Sequence, residues 1–195
     1  NINIEPNKYN CKPITTGLDG GKSGAIIFNL INKKGEINNK LIGKTLIGGS
    51  IARNSNISFL NYNRFIEKYV EYVKKNKNSY LVKIYFIGFF KVDNTYKLSI
   101  IMENIKNNEN IEEIIFDNLN KDVSYDFKTT NVPFDSYRSS SKTEETKNEI
   151  KKFKIKINYN ILNKDLKFLS NNDRIDYSSI LAITKKGFKY RIIDF

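Results

Sequence analysis

Two runs, Asp176-Tyr177-Ser178-Ser179-Ile180-Leu181 and Ile192-Ile193-Asp194-Phe195, decide how this 195-residue chain is read. Each sets a carboxylate beside a short β-prone run, and Lys185-Lys186-Gly187 between them reads as a hairpin turn. Neighbouring strand ends would then carry two acids, able to serve as one base and one Mg²⁺ ligand. ATP-dependent phosphoryl transfer needs such a pair, because its catalysis is mostly positioning and charge neutralisation. Two ordinary loop aspartates are the plainer alternative, so the rest of the chain has to decide.

Composition narrows the chemistry. Hydrophobic residues make up 39%, enough for a folded core. No apolar run reaches the length of a membrane span, and the start carries no signal-peptide pattern. The chain opens on Asn1 rather than Met, so it reads as part of a longer protein. With no histidine, imidazole acid–base catalysis, Ser–His or Cys–His nucleophiles and the usual zinc sites are all excluded. The single Cys11 cannot form an internal disulfide and points to a reducing compartment, hence a cytoplasmic location. A formal charge of +12 calls for an anionic partner, although an Asn-, Lys- and Ile-rich composition also fits AT-rich coding.

Upstream, Gly17-Leu18-Asp19-Gly20-Gly21-Lys22-Ser23-Gly24 runs directly into Ala25-Ile26-Ile27-Phe28-Asn29-Leu30-Ile31, a strand closed by a Lys33-Lys34-Gly35-Glu36 turn. A second strand, Lys40 to Ile47, answers it. The glycines do not form a Walker A loop: its leading glycine falls on Thr16, and a hairpin follows where a helix is required. A glycine-rich loop between antiparallel strands is instead the kinase device for covering ATP phosphates, with a plain glycine turn as the alternative. On the next strand stands Lys44, where a kinase places the lysine that meets the α and β phosphates; Lys40 competes for the role. Residues 58–77 read as a helix, with Phe59, Tyr62, Phe65, Ile66, Tyr69, Val70 and Val73 on its apolar face. Glu67 or Glu71 could pair with Lys44, though a surface carboxylate is the commoner outcome. Strands Tyr80–Val92 and Tyr96–Met102 follow, joined at Asp93-Asn94-Thr95.

Residues 106–122 are polar with a short apolar centre. A short strand over Ser124–Thr130 carries Asp126 and Lys128 on one side of its pleat. Residues 129–150, rich in Ser, Thr, Lys and Glu, read as a mobile loop. The alternation in Lys151–Ile157 predicts a strand with Phe153, Ile155 and Ile157 inward and Lys152, Lys154 and Lys156 outward, either blunting a sheet edge or meeting phosphate head groups. A helix over 159–170 places Ile161, Leu162, Leu166 and Leu169 on its inner face.

In order and spacing these pieces resemble the catalytic core of the phosphatidylinositol phosphate kinases, over residues 20 to 195. Gly21-Lys22-Ser23-Gly24 resembles that family's glycine loop, Lys44-Thr45 its strand lysine, and Ser79 to Gly88 the strand leading to its hinge. Tyr125-Asp126-Phe127-Lys128 is similar to its Tyr-Asp-Leu-Lys signature. Lys164 to Leu169 followed by Asp176-Tyr177-Ser178 is similar to its helix and Met-Asp-Tyr-Ser-Leu loop, and Ile192-Ile193-Asp194 to its closing Ile-Ile-Asp. The resemblance implies an α+β, two-lobed kinase-like fold of antiparallel sheets and few helices, with an N-terminal lobe over 1–105 and a C-terminal lobe over 106–195. It implies ATP and Mg²⁺ as cofactors. Gly21, Lys22, Ser23, Gly24 and Lys44 would hold ATP, Asp194 the metal, Asp176 the inositol hydroxyl, and Asp126 with Lys128 the phosphates. Four departures stand out: Thr129-Thr130-Asn131 replaces Gly-Ser-Thr, Ile175 replaces Met, the family's long insertions are absent, and the chain ends before the position of its activation loop.

The expected activity is therefore transfer of the γ-phosphate to a phosphoinositide ring, with phosphatidylinositol 4-phosphate becoming the 4,5-bisphosphate. Lys152, Lys154, Lys156, Lys185 and Lys186 are candidates to face an anionic membrane at which the protein sits peripherally. The alternatives are a catalytically silent phosphoinositide-binding relative and a soluble inositol phosphate kinase. Without a helix-turn-helix, finger or RNP signature, nucleic acid is not the expected partner.

Overall fold

A computed structural model describes residues 5–14, 25–46, 55–105, 111–120, 152, 156–174 and 176–195. The described chain is α+β: eight strands, each paired antiparallel with its neighbours, and two α-helices. It divides into two compact units, Asn1–Ile66 with Lys83–Asn107, and Glu67–Val82 with Asn108–Phe195. No described helix is long and apolar enough to cross a membrane.

The first unit holds a short 3-10 turn (Pro6–Lys8), then β1 (Tyr9–Pro13), β2 (Ile27–Asn32), β3 (Leu41–Thr45), β4 (Ile84–Val92) and β5 (Thr95–Glu103). They form one sheet in the order β1-β2-β3-β5-β4, with every neighbour antiparallel. Strands β1 and β4 touch although they are its two edges, so the sheet is strongly curled. Inside the curl lie Ile26, Phe28, Leu30, Leu41, Phe90, Val92 and Ile101, with Tyr9, Cys11 and Phe86 packed against them. Gly43 permits this: a Cβ there would overlap the ring of Phe28. The β4–β5 turn is closed by Asp93 and Asn94, whose φ values of 53° and 64° suit a two-residue turn matched to strand twist.

Helix α1 (Ser55–Lys75) contributes its C-terminal part to the second unit. With it come β6 (Ile111–Asn120), α2 (Tyr159–Asn171), β7 (Asp176–Thr184) and β8 (Gly187–Ile193). The sheet order is β6-β7-β8, antiparallel throughout. Central β7 buries Tyr177, Ser179, Ile180, Leu181, Ala182 and Ile183, so residues on both of its faces are covered. That is why its sequence is a nearly continuous apolar run rather than an alternation. Helix α2 starts at Asn158, whose side chain accepts from Ile161 N, and buries Leu162, Asp165, Leu166 and Leu169. It ends with Arg174 N donating to Leu169 O and Asp173 N to Ser170 O, Asp173 taking φ 58°.

Several expectations need correction. Residues 111–120 are a full strand, hidden in the sequence because its pairing partner, β7, is distant along the chain. The expected strand Tyr80–Val92 is two pieces: β4 begins only at Ile84, while Leu81 forms a parallel bridge with Ile192. In the stretch read as a lysine-faced strand, Lys152 is helical, and Lys156 and Ile157 are irregular. Ile157 is buried as expected, and Lys151, Phe153, Lys154 and Ile155 lie outside the described residues. On α1, Tyr62, Phe65 and Tyr69 are buried as expected, but Val70 is exposed. Ser124–Thr130 and the loop at 129–150 lie outside the described residues.

Candidate functional site

The β7–β8 hairpin turns at Lys185 and Lys186, and its register pairs Ser178 with Ile193. Asp176 opens β7 and Asp194 directly follows β8, so both backbones lie at the open end of one hairpin. Asp194 is exposed and holds φ 64°. Among the described residues the other non-glycine positions with positive φ, Asp93, Asn94 and Asp173, serve a hairpin turn and a helix end. Asp194 instead follows a strand, and it is a residue type that tolerates this backbone conformation.

The chain around Asp194 is tightly specified. Ile192 N donates to Tyr80 O (2.8 Å) and Val82 N to Ile192 O (3.0 Å), laying residues 80–82 along the end of β8. The Tyr69 hydroxyl donates to Val82 O at 2.7 Å, and its ring meets Phe195, with centroids 6.0 Å apart. Behind this stands Asp165, whose carboxylate is fully buried. Its Oδ1 accepts from the Tyr72 hydroxyl (2.6 Å) and the Ser79 hydroxyl (2.8 Å), and its Oδ2 from Tyr80 N (2.7 Å). Burial pushes the Asp165 carboxyl above the usual range, against the pull of these three donors. Burial, and then the bond to Asp165, push Tyr72 up in turn. The Tyr72 ring stacks on Phe168 with centroids 4.1 Å apart, and the Tyr80 hydroxyl accepts from Asn158 N at 2.9 Å.

Sequence reasoning missed Asp165, although a signal was present. It lies three residues after Leu162 and four before Leu169, in the middle of the apolar face of α2. A carboxylate in such a position must find donors or lose its charge.

In the first unit, Lys44 lies on β3 opposite Ile27 of β2 and Ile100 of β5, half-buried. It alternates with buried Leu41, Gly43 and Thr45, so it lies on the sheet face opposite Phe28 and Ile101. Thr45 closes the start of β2: its Oγ1 accepts from Ile26 N (2.8 Å), and its N donates to Ile26 O (3.0 Å). On the other side Ile14 N donates to Ile27 O at 2.7 Å. The glycine segment thus connects two antiparallel neighbours, β1 and β2, and Lys44 follows on the third strand. Gly21, Lys22, Ser23, Gly24, Asp126, Lys128 and Lys154 themselves lie outside the described residues.

The remaining candidates are scattered. Lys152, Lys156, Lys185 and Lys186 are exposed. Lys185 and Lys186 occupy the turn end of the hairpin, about 25 Å of strand from Asp176 and Asp194. Glu71 pairs with Lys75 at 2.9 Å on the surface of α1, and that ammonium holds its carboxyl below the usual range. Burial pushes the Cys11 thiol up to about 11, which makes it a core residue rather than a nucleophile.

Among the described residues no three His, Cys, Asp or Glu side chains cluster as a metal cage. Mg²⁺ does not need one, since it is commonly held by one or two carboxylates together with substrate phosphates. Asp194, a hard oxygen donor at an exposed strand end, fits that mode of binding. No protein-family model matches the chain, and a search of curated proteins returns no match.

Proposed function

We propose that the protein is an ATP- and Mg²⁺-dependent kinase that phosphorylates the inositol ring of a phosphoinositide lipid, converting phosphatidylinositol 4-phosphate to the 4,5-bisphosphate. The observation that carries this is the register of β7 and β8, which brings Asp176 and Asp194 to one hairpin end. These are the two positions where the motif resemblance expects the hydroxyl-binding acid and the metal ligand. The element order of the first unit adds support: a strand, the glycine segment, a second strand, then a strand bearing Lys44.

Each residue then has a task. Asp176 orients the ring hydroxyl and accepts its proton as the oxygen attacks. Asp194 holds the metal, which when bound supplies charge neutralisation at the transferring phosphoryl group. Lys44 would pair with the α and β phosphates, and the backbone at Gly21, Ser23 and Gly24 would cover them. Lys128 and Asp126 would act at the phosphates, Lys128 balancing charge that builds during transfer. The charge of +12 suits an anionic membrane as the place of reaction. A planar surface that engaged both Lys185 or Lys186 and the acceptor beside Asp176 would have to run along the hairpin rather than across its tip.

Phosphate transfer from labelled ATP to vesicles containing phosphatidylinositol 4-phosphate tests this. The wild-type protein should form lipid product, and Asp176→Asn should lose about a thousandfold in rate, within the range of a positioned general base. Vesicle binding by the wild-type protein with no product would identify a silent lipid-binding relative instead. Product from free head group as readily as from vesicles would identify a soluble inositol phosphate kinase.

A further inference from the structure

Asp165 bonds to Tyr72, Ser79 and Tyr80, and through the last two it fastens the segment that fixes Asp194. Its carboxylate takes Ser79 Oγ and Tyr80 N, and thereby anchors the start of the 80–82 segment. The backbone of that segment grips Ile192 from both sides, at Tyr80 O and Val82 N, two residues before Asp194. Val82 O receives the Tyr69 hydroxyl, and Tyr69 packs on Phe195, one residue after Asp194. Asp194 is therefore bracketed on both sides by groups that lead back to a single buried carboxylate. Between the brackets it holds a left-handed backbone conformation, which aspartate adopts more readily than most residues.

From this geometry we infer that Asp165 is a positioning residue for metal binding at Asp194, acting through residues 79–82. The inference rests on the kinase function proposed above and adds to it a residue that takes no direct part in the chemistry. A fully buried carboxylate could be spent on stability alone. The difference here is that its ligand segment bonds to Ile192 and, through Tyr69, leads to Phe195, on either side of the proposed metal ligand.

Binding of Mn²⁺, a hard octahedral stand-in for Mg²⁺, can be followed by electron paramagnetic resonance in the presence of ATP, with no need for turnover. Wild-type protein should bind the Mn²⁺–ATP pair, and Asp194→Ala should abolish the metal contribution. Asp165→Asn keeps the shape but turns an amide toward groups that donate, and should weaken Mn²⁺ about tenfold, as loss of outer-shell support commonly does. Ser79→Ala removes one donor at little risk to folding and should weaken Mn²⁺ about threefold. A role confined to folding would lower the unfolding midpoint and leave the Mn²⁺ affinity of the folded protein unchanged. That result in either folded variant overturns the inference while the kinase function stands; should Asp165→Asn fail to fold, Ser79→Ala decides. If the wild-type protein binds no Mn²⁺ with ATP, the proposed function falls, and the inference with it.

Discussion

The two units solve the problem of a small core in different ways. In the first, a curled sheet closes on aliphatic and aromatic side chains, and most of its pairings are local: β1 with β2, β2 with β3, and β4 with β5. In the second, a three-stranded sheet is completed by a helix and by residues 80–82, which pair with Ile192 from far along the chain. A carboxylate sits fully buried within it. The first unit is held mainly by shape and apolar area, with buried Glu103 accepting from Lys83 N at 3.1 Å, whereas the second gathers three donors on one carboxylate. Apolar contact tolerates small adjustments, whereas a buried carboxylate demands every donor in place.

Removing that charge should produce the largest effect on stability. Asp165→Ala strands the Tyr72 hydroxyl, the Ser79 hydroxyl and Tyr80 N, and should cost about 4 kcal/mol. Amide hydrogen exchange should show the loss first in β7 and β8; equal loss in β2 would erase the contrast between the units. In the first unit, Leu30→Ala opens a cavity at a fully buried site and should cost about 3 kcal/mol in urea unfolding, with β2 and β3 losing protection most. Gly43→Ala drives a methyl into the Phe28 ring and should cost about 2 kcal/mol. If Gly43→Ala is neutral, the curled sheet has more slack than its geometry implies.

Acidity sharpens the same contrast more gently. The Asp165 carboxyl is raised above its ordinary value of 3.8, so across the interval above that value the folded state holds the proton more tightly than the unfolded state. Its contribution to stability is therefore fully present below about pH 3.8 and falls as pH rises towards the folded-state value. Urea unfolding of wild-type and Asp165→Asn protein from pH 3 upward should show this downward component only in the wild-type protein, at about 1 kcal/mol for each unit of separation. Parallel pH profiles would mean that the three donors hold the carboxylate at its unperturbed acidity. Smallest of all, Tyr96→Ala at the turn end of the β4–β5 hairpin, where the residue is 73% exposed, should change stability by about 0.5 kcal/mol or less.

How much was legible in the sequence follows the division into local and distant contacts. Ile27–Ile31, the Lys33–Glu36 turn, Asp93-Asn94 and the Lys185–Gly187 turn are local signals, and each marks the element it suggested. The helix at 159–171 was visible from its leucines, but the meaning of Asp165 among them was not. A buried carboxylate is recognisable only when its donors are known, and Tyr72, Ser79 and Tyr80 lie more than eighty residues away. Strand β6 and the 80–82 segment were misread for the same reason, since each takes its conformation from a partner that no local window contains.

Of the candidate site, the sequence by itself determined the chemical repertoire: no imidazole, carboxylates at 176 and 194, a lysine at 44, and a strand-forming pattern beside each. Alternation and turn residues act within a few positions, so they were enough to place Asp176 and Asp194 on a common hairpin. Only the tertiary structure decided that the second acid would occupy a left-handed backbone position, bracketed by Tyr69, Tyr80 and Val82 and backed by Asp165. Hydrogen bonds that close across a hundred residues carry directional information, and hydrophobic periodicity has none to offer in its place.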